Sequence, residues 1–262
     1  MSYENLIYEV TDGVALCTFN RVDAANAMNK PLMEELYDVA VRIDTDPAVR
    51  AAVFTGQGKI FSAGGDIRFF KSLGDKLPEF VKRMTLNLHG AISRLHRSDV
   101  PVICAVNGAA GGAGFSFAIQ GDIVIAGEGS KFVSAYSRLG VSPDGSSTYF
   151  LPRLVGTKRA LDLMLTNRTL TAAEAMDWGL VDRVVADDKV LDEALKLARE
   201  FAGGPTLAYG RIKRLIHQSL NESLETQMEN ETVGIAESMR SADGREGVAA
   251  FLEKRKPVFR GA

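Results

Sequence analysis

The sequence predicts an α/β fold built on a parallel sheet, and two observations predict it. Apolar, strand-like runs alternate with helix-like patterns, and two of the junctions are glycine-rich turns, residues 61–66 (FSAGGD) and 106–121 (VNGAAGGAGFSFAIQG). From about residue 190 the pattern changes to four helical stretches with no strand between them. Strand, glycine turn, helix, strand is the signature of βαβ units, whose ligands bind at the carboxyl ends of the strands, where both turns fall. The 262 residues divide into a core over 1–190 and a helical region over 191–262.

The elements follow in order. Residues 6–10 and 14–19 read as a hairpin around Asp12-Gly13. Asn29-Lys30-Pro31 opens a helix with Leu32, Leu36, Val39 and Ile43 on one face. A buried strand at 51–54 ends in Thr55-Gly56-Gln57-Gly58, and a loop and short helix follow the first glycine turn. Residues 80–97 form a long helix with Met84, Leu88, Ile92 and Leu95 along one side. Residues 102–106 are a buried strand leading into the second turn, a helix at 113–120 and a strand at 122–126. A helix is expected at 147–154, and the last four at 191–202, 206–220, 222–239 and 243–254. Helices at a chain end serve either as an oligomer interface or as a cap on the core. The sequence shows no internal repeat.

Composition narrows the partners. With 31 basic and 33 acidic residues the net charge is −2, so neither nucleic acid nor a membrane surface is expected. Cys17 and Cys104 lie in apolar runs and read as buried thiols, which makes a reducing, cytoplasmic location the default. The first ten residues carry Glu4 and Glu9 and no long apolar core, so no secretory leader is expected, and no apolar run is long enough to span a bilayer. Three scattered histidines without CxxC or HExxH spacing argue against a metal site.

The glycine turns carry the chemistry. Glycine lets a ligand approach the backbone, and the first N–H groups of a helix are unpaired donors at the positive end of its dipole. Two such donors aimed at one point stabilise negative charge on a carbonyl oxygen, which suggests an enzyme acting through an enolate or similar anion. A phosphate cradle and plain close packing are the alternatives, but GxxxxGK[ST] is absent, and so is GxGxxG near the start.

The chain resembles the crotonase superfamily, the enoyl-CoA hydratase/isomerase group, over essentially its whole length. The matching pieces are Asn20-Arg21 with Ala27-Met28-Asn29, then 61–66, 101–108, 151–156, 165–170, 172–180 and 251–255. The resemblance implies a spiral of ββα repeats, a C-terminal helical region that packs into a homotrimer or hexamer, and an acyl-CoA thioester substrate. No cofactor is implied beyond the substrate's own coenzyme A. It also puts an oxyanion hole on the backbone N–H groups of Gly65 and Ala113. The two glutamates of a hydratase would fall at Ser116 and Tyr136, neither of them acidic, which disfavours hydration by the two-glutamate mechanism.

Asp144, in GVSPDG before a helix, is either an N-cap or the reactive carboxylate. In isomerase-like members a lone carboxylate at this position moves a proton along the acyl chain. In the 4-chlorobenzoyl-CoA dehalogenase-like branch it is a nucleophile, with Tyr136 at the place of its hydrogen-bonding tryptophan and His89 at the place of its base. His89 otherwise reads as a packing residue, and His96 and His217 as surface residues. The resemblance sets coenzyme A beside Arg21, Ala25 and the backbone of Ala63 and Ile67. Lys254 lies in a basic cluster that either reaches a phosphate or is a solvated tail. Three functions therefore stand: a double-bond isomerase, a dehalogenase-like hydrolase, and a non-catalytic acyl-CoA binding protein.

Overall fold

The structure, a computed structural model, describes residues 3–262. Strands β1 (Leu6–Thr11) and β2 (Val14–Phe19) form the expected hairpin, with Asp12 and Gly13 turning at φ 51° and 80°. Helix α1 (Lys30–Thr45) starts as predicted: Asn29 caps it by accepting the Leu32 N–H at 3.0 Å. The large sheet continues through β3 (Ala51–Gly56), β5 (Val102–Val106), β7 (Ile123–Gly127) and β10 (Arg183–Val185), all parallel to β2.

A second, smaller sheet lies beside it, made of β4 (Ile60–Ser62), β6 (Ala109–Gly111), β8 (Lys131–Val133) and β9 (Leu170–Thr171). Its strands leave no mark in the residue pattern, because runs of two or three residues are too short to show an alternation. The chain alternates between the sheets. The large sheet receives β3 and the small one β4, followed by α2 (Ile67–Ser72) and α3 (Leu77–Arg97); β5 and β6 then lead to α4 (Ala113–Ala118), and β7 and β8 to α5 (Ser147–Thr166). This is the spiral of ββα units, repeated in space although no repeat is legible in the sequence. The helix expected at 147–154 runs on to Thr166, broken at Gly156 (φ 79°, ψ 156°).

The large sheet separates two apolar layers. Along β3, Ala52 and Phe54 face one layer and Ala51 and Val53 the other; Val102 and Cys104 of β5 divide from Ile103 and Ala105 in the same way. The larger layer, under α1 and α3, contains edge-to-face rings of Phe19, Phe54, Phe61 and Phe117. The other is closed by α7 (Val190–Ala202). Cys17 and Cys104 are buried free thiols, and burial pushes both up.

After α6 (Ala172–Asp177) and α7 come α8 (Thr206–Ser219), α9 (Leu224–Arg240) and α10 (Ala242–Leu252). Lys213 ties α8 to the core, its Nζ donating to the carbonyls of Leu95 (3.2 Å) and Val100 (2.8 Å). No residue of α9 is buried, and Leu224, Ile235, Phe251 and Leu252 are all exposed. Among the described residues, no helix is long and apolar enough to cross a membrane.

Candidate active site

The first glycine turn is braced by the segment before α1. Met28 N–H donates to Gly64 O at 2.6 Å, Ala63 N–H to Ala25 O at 3.0 Å and Asp66 N–H to Met28 O at 3.1 Å. The buried Asn26 amide reaches the carbonyls of Gln57 and Ile60, and Ser62 Oγ returns a bond to Asn26 O. Asp66 caps α2 by accepting the Phe69 N–H at 3.1 Å and pairs with Arg21 at 3.0 Å. Burial pushes the Asp66 carboxyl up, but the Phe69 N–H and the Arg21 guanidinium hold it below the usual range.

The second turn lies against the first. Gly64, at φ 93°, has no room for a Cβ, which would meet Gly111 O at 2.6 Å and Ala113 N at 3.1 Å. Gly114 is pressed as closely on β4, where a Cβ would meet Ser62 O at 2.4 Å. The short β4–β6 pairing sets this approach, with Ile60 opposite Ala109 and Ser62 opposite Ala110. Gly65 and Ala113 thus sit at adjoining turns, and neither N–H donates to an acceptor among the described residues. Two unpaired donors side by side suit a developing oxyanion.

Asp144 lies on the loop into α5. Its carboxylate does not cap the helix, whose N-terminal residue Ser146 makes no side-chain cap. Instead Oδ1 accepts the Tyr136 hydroxyl at 2.5 Å, and Oδ2 has no partner among the described residues. Burial, reinforced by the Asp144 charge, raises the Tyr136 phenol, so it stays a donor. Ser116 Oγ lies 3.1 Å from the Tyr136 hydroxyl and donates to Asp144 O at 2.8 Å. The His89 Nε2 accepts the Gly145 N–H at 3.2 Å. Asp144, Tyr136, Ser116 and His89, from four separate segments, therefore form one cluster.

Residues 9–262 match the family described as enoyl-CoA hydratase/isomerase. The chain belongs to this enoyl-CoA hydratase/isomerase family. Among its relatives, the 1,2-epoxyphenylacetyl-CoA isomerase of Escherichia coli (strain K12) is 39% identical over 260 residues, covering 98% of this chain and 99% of that protein. The 4-chlorobenzoyl coenzyme A dehalogenase-2 of an Arthrobacter species is 33% identical over 254 residues, 97% of this chain and 92% of that protein. The crystal structure of an enoyl-CoA hydratase from Polaromonas sp. JS666 superposes with a TM-score of 0.93 at 30% identity, covering 97% of this chain and 99% of that chain. Members of the enoyl-CoA hydratase/isomerase family thus include isomerases, hydratases and dehalogenases among this chain's relatives.

Of the residues expected beside coenzyme A, Arg21, Ala25, Ala63 and Ile67 gather at the first glycine turn, while Lys254 lies at the C-terminal end. Ala63 and Ile67 are exposed at the rim of the first turn, and Ala25 stands at φ 51° on the bracing segment. Arg21 donates to the Asp66 carboxylate and the Ala27 carbonyl. Lys254 is exposed just beyond α10, while its neighbour Arg255 is tied to Glu246 and Glu253.

The surface reading of His96 and His217 is corrected. Both are partly buried, their rings tilted at 36° with centroids 3.8 Å apart. Burial, with His217, Lys213 and Arg97 nearby, lowers His96 to about 4. Together with His89 they line an open cleft of about 840 Å³ between α3, α5 and α8. Below them the buried Lys213 pairs with the partly buried Asp122 at 2.7 Å. The spacing held a signal: His89 and His96 recur seven residues apart on α3, and Lys213 and His217 four apart on α8, each pair on one helix face.

Proposed function

We propose that this enzyme shifts a carbon–carbon double bond in an enoyl-CoA, with Asp144 as acid and base. The observation that carries the reading is a single carboxylate with one oxygen fixed by Tyr136 at 2.5 Å and the other unpartnered. In the proposed course the thioester oxygen accepts the N–H groups of Gly65 and Ala113, which acidifies the α-carbon. Asp144 Oδ2 takes an α-proton from a 3-enoyl-CoA, giving a dienolate, and returns that proton to the γ-carbon to give the conjugated 2-enoyl-CoA. One base serves both steps and nothing is consumed. Tyr136 stays protonated and orients the carboxylate. Coenzyme A lies along the loop of Arg21 and Ala25 and the backbone of Ala63 and Ile67, with no further cofactor.

The test is incubation with a 3-enoyl-CoA, in which conjugated thioester absorbance should rise. With Ser116 and Tyr136 where hydration uses carboxylates, crotonyl-CoA hydration should stay below about 1 per second, the low end of ordinary turnover. A faster rate would mean that another group activates water.

The dehalogenase-like reading is favoured by one feature, the convergence of Tyr136 and His89 on the Asp144 loop. It predicts release of halide from 4-halobenzoyl-CoA through an aryl ester on Asp144. Binding of acyl-CoA with turnover of neither substrate would leave the non-catalytic reading.

The exposed apolar residues of α9 and those at the end of α10 support assembly as a homotrimer or hexamer. Sedimentation equilibrium at micromolar concentration should give three or six times the 28.3 kDa chain mass. A monomer would reduce the C-terminal helices to a cap.

A further inference from the structure

One peptide unit links Asp144 to Gly145, and it is gripped from both sides. Its carbonyl accepts Ser116 Oγ at 2.8 Å and Ser147 Oγ at 3.1 Å. Its N–H donates to His89 Nε2 at 3.2 Å. In a trans peptide these two groups point in opposite directions, so bonds at both ends fix the rotation of the plane about the chain. That rotation sets the direction in which the Asp144 side chain leaves the backbone. Gly145 is buried, and its N–H has no other acceptor among the described residues. The next turn holds little choice of conformation, since Gly145 and Ser146 stand at φ 62° and 71°. A Cβ on Gly145 would lie 3.0 Å from Ser116 Cβ and 3.3 Å from Leu88 Cδ2, so the loop is seated directly on α3 and α4.

We propose that His89 is a positioning residue, which anchors the 144–145 peptide through a neutral Nε2 and so aims the Asp144 carboxylate. The bond defines the tautomer: Nε2 supplies a lone pair, and the ring proton sits on Nδ1. A base role at Nε2 conflicts with this, because taking a proton there turns the acceptor into a donor facing the Gly145 N–H. The loop would lose its anchor in the middle of the reaction. The inference rests on the proposed role of Asp144.

Two variants test it. In His89→Gln the amide oxygen reaches the place of Nε2 and accepts the same N–H; in His89→Leu nothing does. With 3-enoyl-CoA, His89→Leu should lower kcat by about 10- to 100-fold, the scale of a misaimed catalytic group, with KM changed by less than about threefold. His89→Gln should recover kcat to within about fivefold of the native enzyme, on the same scale. Thermal melts of both variants should show that they fold. Long-range ¹H–¹⁵N spectra of the native protein should report the Nδ1–H tautomer for His89, a readout independent of turnover. Native kcat in His89→Leu, equal loss in both variants, or an Nε2–H tautomer would each overturn the proposal. If the native protein shifts no double bond, the Asp144 reading fails, and the tautomer still decides whether His89 holds the loop.

Discussion

Replacing Asp144 by Asn should lower isomerisation of a 3-enoyl-CoA by about 100-fold or more, the usual scale for a general acid–base group. The amide cannot take the α-proton, yet its oxygen can still accept the Tyr136 hydroxyl that now binds Oδ1 at 2.5 Å. Because the carboxylate caps no helix, nothing in α5 depends on its charge. The melting temperature should therefore stay within a few degrees of the native value, about the effect of 1 kcal/mol in a domain of this size. Binding of the thioester should persist, since the Gly65 and Ala113 N–H groups are backbone. Turnover undiminished in Asp144→Asn would remove Asp144 from the chemistry. Loss of both turnover and fold would make it a structural residue.

Lys213→Met should be the most destabilising of the substitutions considered. The Lys213 ammonium is buried, paired with Asp122 at 2.7 Å and bonded to two carbonyls of the α3–β5 connection. Breaking one side of a buried ion pair leaves an uncompensated charge and costs about 3–5 kcal/mol. Burial pushes the Asp122 carboxyl up, but the His217 imidazole 3.9 Å away, the Lys213 ammonium and the Val102 N–H hold it below the usual range. A depressed carboxylate contributes stability that is present near neutral pH and lost as pH falls through its folded value. In the variant the penalty applies only while Asp122 is ionised. The gap between native and variant should therefore be largest at about pH 7 and narrow toward about pH 4, as measured by urea unfolding. A loss that is the same at both pH values would show that packing, and not the unpaired carboxylate, governs the effect.

Most of the large sheet was legible because β1, β2, β3, β5 and β7 are runs of five or six residues, mostly apolar, with Asp12-Gly13 marking the hairpin; the three-residue β10 was not. The small sheet was not, since β9 has two residues and β4, β6 and β8 three each. Asp144, Tyr136 and His89 were named from the sequence by resemblance alone. The resemblance already set Tyr136 where a donor to Asp144 is expected; that Ser116 holds the loop became visible only in space. Their sequence separations of 8 and 28 residues from Asp144 carry no local periodicity. Arg21 is a further case: nothing local in the sequence pairs it with Asp66, 45 residues away, whose carboxylate it meets in the fold.

By itself the sequence determined the α/β class, the hairpin, the two glycine turns and the strand-free C-terminal quarter. These follow from steric and hydrophobic rules that act over a few residues. The tertiary structure decided how the two turns face one another, which oxygen of Asp144 is occupied, and that His96 and His217 meet beside a largely buried ion pair. Those depend on the pairing of β4 with β6 and the docking of α8 on α3, contacts between segments about 50 to more than 100 residues apart. Such contacts form only where the packed core brings the segments together, and the energy that selects them belongs to the whole core and to no single stretch of chain.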